Sequence, residues 1–301
     1  MIKSSQKTNS VKGSLDRHLT TSTPEEYTPS WRCNYEVLAG YIVGGHQHGL
    51  YWTEGADGAP VSRPMCLNIE HYYAKVERGG RFVPRLKAEV QTDRTDDDTV
   101  VVRIAPFENW DVSVSLSYTL LPDRIVEARF EFVFGASYRD FEAFISNYFH
   151  APTEPYIHLG GVWIRPQLGE REHRYWARSD RDAQVIKDGR LDEFLDGMKE
   201  HYDAPVDPNR YDLPIMVTPI GDSGWSVVNI IEQQMCPSLS VNRNWKAHDF
   251  SLIGHDVEKG QRIVCRAWMI YAKLENLNDV IPLYEQITGE SGRPRYQTPV
   301  G

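Results

Sequence analysis

Cysteine is scarce in this sequence of 301 residues: there are four, and no two of them form a C-x-x-C pair. This spacing disfavours a zinc ribbon and a dithiol redox motif. Cys66, Cys236 and Cys265 lie in apolar, strand-like sequence, whereas Cys33 does not. The pattern predicts that these three are buried free thiols.

Long hydrophobic runs are also missing, since no stretch approaches the ~20 apolar residues that a membrane span needs. Residues 1–30 are polar and rich in Ser, Thr and Lys, with no apolar core of a secretory signal. We therefore expect a mobile or surface-wrapping arm over residues 1–30 and a cytoplasmic location.

Positive charge is in deficit, because 33 basic residues face 42 acidic ones and the formal net charge is -9. No basic cluster is interleaved with aromatic residues, so neither a nucleic acid nor an anionic membrane is an expected partner. The sequence also lacks a G-x-S-x-G elbow, a P-loop and a strand-linked G-x-G-x-x-G. Serine hydrolase, nucleotide-binding and Rossmann interpretations are therefore disfavoured.

Alternation of apolar and polar side chains is what the sequence has in abundance. In "DVSVSLSY" (111–118), valine and leucine alternate with serine, which is the period of a half-buried strand. The predicted strands are 66–77, 85–93, 99–107, 110–121, 124–134, 156–165, 213–220, 224–233, 248–257 and 261–274. Short polar turns separate many of them, and several are long, which predicts two large packed antiparallel sheets.

Helices are few in this pattern. Apolar residues recur at helical spacing in 191–202 and in 276–289. In the second segment Asn276 or Asn278 can cap the start and Gly289 can end the helix, with Pro282 in the first turn. We predict an all-β protein with a few peripheral helices.

The domain organisation that follows is simple. Residues 31–301 form one β domain, and the polar, strand-poor stretch near 166–212 is an insertion over one end of it. Long insertions of this kind often carry function.

The stretch "GGHQHGLYW" (44–52) contains two histidines one residue apart. In a strand, His46 and His48 point to the same face, so they could share a metal ion or a polar ligand. Either could act as a general acid or base. Trp52 would join that face and offer an apolar platform for a sugar ring.

The same stretch resembles the first cupin motif, with matches at Gly40, His46, His48 and Glu54. That resemblance implies a divalent metal at His46 and His48. The glutamate follows after five residues where the cupin family uses three or four, and a second cupin motif with its own histidine is missing.

A broader resemblance covers roughly residues 35–290. "HQHGLYW" is similar to the His-rich stretch of bacterial proteins with a galactose-mutarotase-like fold, nearest to the PmoA-type proteins, although the third histidine and the arginine are absent. The ending "RAWMIYAKLENLNDVIPLYEQIT" also resembles such chains. The resemblance implies a two-sheet β-supersandwich whose concave sheet binds carbohydrate, and it transfers no single activity. Apart from a possible divalent metal at His46 and His48, we expect no cofactor.

Other polar residues are placed to line such a site. "NIEHYY" puts Asn68, Glu70 and Tyr72 on one face of a strand and His71 on the other, where it could be a core histidine or a ligand contact. "FISNYFHAP" offers Asn147, Tyr148 and His150 at a strand end before a proline, a suitable position for the mouth of a site.

Glu232 ends an apolar strand, where desolvation would raise its pKa and suit it to act as a base. The mutarotase resemblance implies a late glutamate as base with a histidine as acid, and Glu232 is the positional match. Arg243 could bind a sugar hydroxyl and Trp245 could stack on the ring. The function expected is carbohydrate binding or processing, by an epimerase, lyase or glycosidase or by a non-catalytic binding protein.

Overall fold

The computed structural model describes residues 31–32, 38–42, 49–52, 66–75, 81–82, 84, 88–94, 99–122, 124–149, 154–187, 205–222 and 224–292. The strands are β1 (Trp31–Arg32), β2 (Leu38–Ile42), β3 (Gly49–Trp52), β4 (Asn68–Lys75), β5 (Arg81–Phe82), β6 (Val90–Arg94), β7 (Thr99–Ile104), β8 (Val112–Leu121), β9 (Ile125–Phe134), β10 (Tyr138–Ser146), β11 (Tyr156–Leu159), β12 (Val162–Ile164), β13 (His173–Ala177), β14 (Tyr211–Pro219), β15 (Trp225–Ile231), β16 (Ser238–Asn242), β17 (Ala247–Val257) and β18 (Arg262–Lys273). Helices α1 (Asp180–Val185) and α2 (Val280–Thr288) accompany 3-10 turns at Gln233–Met235 and Leu277–Asp279.

Two large sheets carry most of these strands, and every strand pairing within them is antiparallel. One sheet has nine strands in the order β12-β11-β14-β15-β18-β9-β8-β7-β6, and the other has six in the order β13-β16-β17-β10-β4-β5. Strands β1 to β3 form a separate three-stranded sheet. The prediction of two packed antiparallel sheets is confirmed.

The period-two pattern explains how the nine-stranded sheet buries one face. In β8, Val112, Val114 and Leu116 are buried, while the serines between them lie on the opposite, more exposed face. β9 alternates in the same way and pairs with β8 over its whole length. Each strand therefore presents an apolar row to the same side.

The main core lies between the two sheets. Phe130, Phe132 and Phe134 of β9 are fully buried in one apolar cluster with Phe141 of β10. Phe134 and Phe141 meet edge-to-face, with ring centroids 4.9 Å apart. Because both sheets contribute alternate residues to this cluster, the opposite face of each sheet is left for other contacts.

Helix α2 covers part of the outer face of the nine-stranded sheet, where Val280 and Tyr284 pack in a second apolar cluster. The side chain of Asn276 accepts a hydrogen bond from the Asn278 N–H and so caps the preceding 3-10 turn. Gly289 ends the helix with a φ of 69°, which is accessible to glycine at little cost. The predicted cap, stop and first-turn position of Pro282 are confirmed.

Several local predictions are wrong. Segment 156–165 is not one strand but the hairpin β11–β12, which turns at Gly160 and Gly161. Strands β13 and β16 are not among the predicted strands, and β13 lies inside the polar stretch 166–212 as the edge of the six-stranded sheet. Both strands are five residues long, so they give little periodic signal.

The three cysteines predicted as buried thiols, Cys66, Cys236 and Cys265, are free and buried. Burial raises the pKa of Cys236 to about 12 and raises that of Cys265 further. The predicted arm over 1–30, the helix over 191–202 and Cys33 lie outside the described residues.

Candidate functional site

The face of the six-stranded sheet that points away from the nine-stranded sheet is rich in polar side chains. In β16 and β17, core residues such as Leu239 and Phe250 alternate with residues that turn to this second face. We call it the polar face, and its members are Asn68, Glu70, His71, Glu142, Phe144, Ser146, His173, Tyr175, Ser238, Ser240, Asn242, Asp249 and Ser251. All of them are buried. Burial of so many polar groups on one sheet face requires compensating interactions.

A β-bulge in β4 places His71 on this face next to Glu70. Phe144 of β10 pairs with His71 and Ile145 pairs with Ile69, so Glu70 is an extra residue opposite the same partner strand. Ile69 and Tyr72 consequently both face the core, and His71 faces away from it. Bulges are common where a strand must redirect a functional side chain.

The Glu70 carboxylate has donors on both sides. Its Oε2 accepts hydrogen bonds from Ser146 Oγ and from Asn68 Nδ2, each at 3.3 Å. Its Oε1 lies 4.0 Å from His71 Nε2. The His71 ring in turn stacks with Phe144, with centroids 5.9 Å apart. Glu70 is therefore oriented by neighbours on both β4 and β10.

Asp249 of β17 is another carboxyl residue of the polar face, which also includes Glu142. Burial raises its pKa well above the usual value, the backbone N–H of Asn147 lowers it through a hydrogen bond of 3.1 Å, and the charge of Glu70 raises it. The net effect favours the protonated form. A protonated carboxyl group can donate a hydrogen bond or a proton, which an ionised one cannot.

His173 of β13 lies at the other side of the polar face. Its Nε2 is 3.1 Å from Ser240 Oγ, and its Nδ1 is 3.3 Å from Tyr175 Oη. Burial lowers the pKa of His173 to about 3, so the imidazole is neutral at neutral pH. A neutral imidazole can both donate and accept a hydrogen bond.

Glu70 and His71 are thus the sequence-predicted residues that the structure places on the polar face. Asn147 and Tyr148 follow directly after β10, and Tyr148 bridges to Ala247 at the start of β17. Asn147 is fully buried, and both of its side-chain amide atoms bond to backbone groups of neighbouring strands. That arrangement fits a structural tie better than a direct ligand contact.

Arg243 and Trp245 lie in the turn between β16 and β17. Arg243 donates from Nη1 to Glu154 Oε1 at 2.7 Å and to the Leu168 carbonyl at 2.9 Å. Trp245 is about half exposed, at 47%. A tryptophan exposed to this extent, at the strand end that leads to Asp249, has ring surface that a ligand could stack on.

Glu232 lies on the nine-stranded sheet and not on the polar face. It follows β15 of the nine-stranded sheet, and its carboxylate accepts hydrogen bonds from the backbone N–H and the Nε of Arg266, at 2.9 and 2.8 Å. Both bonds come from the same residue of β18. The structure therefore does not bring Glu232 together with Glu70 and His71.

The remaining predicted site residues are His46, His48, His150 and the side chain of Trp52, and they lie outside the described part of the molecule. The backbone of Trp52 is the end of β3 and pairs with Ala39 of β2. Among the described residues, no group of three or more His, Cys, Asp or Glu side chains could hold a metal ion.

Sequence reasoning missed Asp249 and His173. Asp249 lies in the predicted strand 248–257, and "DFS" alternates polar, apolar and polar residues there, which is the signal that could have placed it on a polar face. The local sequence does not show that Asp249 and Glu70 share a face, because their strands, β17 and β4, are separated by β10 in the sheet.

The described residues form two packed antiparallel sheets, which is the architecture that the galactose-mutarotase-like resemblance implied. No protein-family model matches the sequence, and no curated protein sequence matches it significantly. A similar solved structure is the alpha-N-acetylgalactosaminidase NagBb from Bifidobacterium bifidum in complex with GalNAc. It is 14% identical with a TM-score of 0.53, and the match covers 87% of this chain but 38% of that one.

Two epimerase structures are also similar to this chain. The galactose 1-epimerase from Lactobacillus acidophilus NCFM is 9% identical, with a TM-score of 0.39 and coverage of 82% and 97% of the two chains. The GalM/aldose epimerase homologue from C. elegans is 7% identical, with a TM-score of 0.43 and coverage of 82% and 98%. Identities this low concern the fold and not the activity.

Among the described residues, no helix combines the length and the hydrophobicity that crossing a bilayer requires.

Proposed function

We propose that this protein binds a carbohydrate on the polar face and carries out acid–base chemistry on the sugar ring. The observation that supports this most is the pair of buried carboxyl groups, Glu70 and Asp249, on one face of the sheet. A pair of titratable groups whose environments differ is the usual basis for separate acid and base roles.

The roles follow from the neighbours of each group. Asp249 is the proton donor, because burial favours its protonated form. Glu70 is the acceptor, because its carboxylate is already oriented by Ser146 and Asn68. His71 and neutral His173 bind ligand hydroxyls, and the aromatic ring of Phe144 between them offers an apolar surface.

The fold comparison agrees with a sugar ligand. NagBb, which shares the fold, is an alpha-N-acetylgalactosaminidase in complex with GalNAc. His46, His48 and His150 remain candidates to contact the same ligand, and Trp52 and Trp245 remain candidates to stack on it.

The test is a screen of neutral and amino monosaccharides and oligosaccharides by saturation-transfer NMR, followed by proton NMR of the products. Glu70→Gln and Asp249→Asn should each lower turnover by about 10²-fold or more. The matched control is Glu131→Gln, a carboxylate on the outer face of the nine-stranded sheet, which should leave binding and turnover unchanged.

The outcomes separate the parts of the proposal. Absence of binding to every sugar overturns the carbohydrate ligand. Binding without any chemical change in the sugar overturns the acid–base role and leaves a binding protein. Unchanged binding and turnover in both carboxyl variants would show that the polar face is not the site.

A divalent metal at His46 and His48 remains an alternative proposal, carried by the His-x-His spacing. Metal analysis of the purified protein tests it, with the His46→Ala, His48→Ala double variant as the comparison. If both proteins contain less than about 0.1 metal ion per chain after metal loading, the metal alternative is wrong, whereas one ion lost on double substitution supports it.

A further inference from the structure

Asn147 joins three strands of the six-stranded sheet at one point. Its Oδ1 accepts a hydrogen bond from the Leu67 N–H at 2.8 Å, and its Nδ2 donates to the His248 carbonyl at 2.7 Å. Its backbone N–H donates to Asp249 Oδ1 at 3.1 Å. The residue is fully buried, so these bonds do not compete with solvent in the folded protein.

The bond to Leu67 fixes the start of β4. Leu67 has a φ of 51°, in the left-handed region that a leucine rarely adopts. Its N–H is held by Asn147, and its carbonyl accepts a hydrogen bond from Tyr118 Oη at 2.8 Å. The unusual backbone of Leu67 is thus held on both sides, and β4 begins at the next residue with Asn68, a neighbour of Glu70.

The other two bonds fix β17. The His248 N–H also donates to the Asn147 carbonyl at 2.9 Å, so residues 147 and 248 are bonded in both directions. Asp249 follows directly, and its carboxyl group receives the Asn147 N–H. One residue therefore contacts the backbone of Leu67, three residues before Glu70, on one side and the Asp249 carboxyl group on the other.

We propose that Asn147 is a positioning residue that sets the relative placement of Glu70 and Asp249. The inference deepens the proposed function and rests on it for its catalytic meaning. The other titratable residues on the same face of the neighbouring strands are His71 and Tyr73 on β4, Glu142 on β10, and His173 and Tyr175 on β13. His248 is adjacent on β17 itself.

The electrostatic reason is the direction of each contribution. The Asn147 N–H favours ionised Asp249, while burial and the Glu70 charge favour the protonated form, and burial is the largest cause of the raised pKa. If the Asn147 side chain no longer holds the local backbone, the N–H moves from Asp249 and the ionised form loses its donor. The midpoint of the Asp249 titration then rises.

The first measurement needs no variant. In ligand-free protein labelled with ¹³C at the Asp and Glu carboxyl carbons and with ¹⁵N, the Asn147 amide proton should shift along the same titration curve as the Asp249 carboxyl carbon. If Asp249 titrates and the Asn147 amide does not respond, the proposal is overturned.

The second measurement uses Asn147→Ala and Asn147→Asp, with Ser251→Ala as the matched control of a buried polar residue on the same face that bonds to Ser238. Asn147→Ala should raise the Asp249 midpoint by about one pH unit. Asn147→Asp retains the acceptor for Leu67 but loses the donor to the His248 carbonyl and adds a second carboxyl group beside Asp249, so its midpoint should rise at least as far as that of the alanine variant. Ser251→Ala should leave the midpoint within about 0.2 pH unit.

If either Asn147 variant folds with the midpoint of the parent, the positioning role is wrong. If neither variant folds, the titration of the Asn147 amide in the parent protein decides whether Asn147 has the positioning role. All these titrations use ligand-free protein, so their result does not depend on whether the protein binds a sugar. A negative titration result would overturn the role of Asn147 alone, and a negative sugar screen would overturn the proposed function alone.

Discussion

Thr218 of the nine-stranded sheet and His248 of the six-stranded sheet are joined by a hydrogen bond of 2.8 Å between Oγ1 and Nδ1. Both residues are buried, at 1% and 2% exposure. They therefore form a polar link across an interior that consists mainly of apolar side chains. The His248 ring also packs against Phe149, with ring centroids 4.7 Å apart.

Replacing Thr218 by valine keeps the shape and removes the hydroxyl group. We expect the Thr218→Val variant to lose about 1–3 kcal/mol of unfolding free energy, because a buried imidazole nitrogen loses its partner. Urea denaturation measures this. Thr119→Val is the control, since Thr119 pairs with Thr99 at a partly exposed site, and it should cost less than about 0.5 kcal/mol. Equal losses of unfolding free energy in the two variants would show that the Thr218–His248 hydrogen bond contributes no more to stability than a partly exposed one.

The stability of the protein should depend on pH through His173. Because burial lowers the folded-state pKa of His173 from 6.5 to about 3, the unfolded chain binds a proton that the folded chain does not. This contribution is fully present above about pH 6.5 and is lost as the pH falls toward 3, at about 1.4 kcal/mol per pH unit. The His173→Gln variant should lack this slope in chemical denaturation series between about pH 4 and pH 6. A slope equal to that of the parent would contradict the buried neutral histidine.

The buried Asp249 should make the protein less stable as the pH rises, which is opposite to the effect of His173. Its folded-state pKa is raised above 3.8, chiefly by burial, so the folded chain holds a proton that the unfolded chain releases. Its contribution is present below about pH 3.8 and is lost as the pH rises. The Asp249→Asn variant should therefore gain stability relative to the parent as the pH increases from about 4 to 7. A difference that stays constant over this range would show that Asp249 is ionised in the folded protein.

Glu232 should be important for stability and not for the ligand. Its bonds to Arg266 join the end of β15 to the interior of β18. Glu232→Ala should therefore cost about 1–2 kcal/mol in thermal or urea unfolding. The affinity for a sugar identified in the screen should not change. A variant with normal stability and lost turnover would restore the sequence-based assignment of Glu232 as the base.

Two glycines with left-handed backbone allow a matched test of close packing. Gly254 has a φ of 72°, and a Cβ there would lie 2.5 Å from Pro237 Cβ. Gly260 has a φ of 83° with nothing within 4 Å of such a Cβ. Gly260→Ala should cost roughly 1 kcal/mol and Gly254→Ala roughly 3 kcal/mol or more, measured by denaturation. Similar losses of unfolding free energy in the two variants would mean that Pro237 can move away from the added methyl group at little cost.

The parts of the fold that sequence reasoning predicts are those with strong local patterns. β8 and β9 alternate buried and more exposed residues along most of their ten positions, and a period of two over such a length is specific to a strand with one buried face. Helix α2 is predictable because Asn276 and Gly289 carry recognisable end signals.

The bulge at Glu70 is not predictable in this way. Simple alternation places Tyr72 with Glu70 and His71 with Ile69, whereas the structure turns Tyr72 to the core and His71 to the polar face. An extra residue in a strand is defined by the partner strand, and no property of "NIEHYY" itself reveals it. The hydrogen bond between Asn147 and Asp249 is equally unpredictable, because it joins residues 102 positions apart in the chain.

The order of pairing has a consequence for folding. Strands β6, β7, β8 and β9 are consecutive in the chain and pair with their immediate neighbours, so this half of the nine-stranded sheet closes only short loops. The polar face joins distant segments, since Ser146 and Glu70 are 76 residues apart and Asn147 and Asp249 are 102 apart. Long-range contacts of this kind form slowly because their loop-closure entropy must be overcome first. We expect the β6–β9 meander to be protected early in pulsed hydrogen exchange, and the strands around Glu70 and Asp249 to acquire protection last.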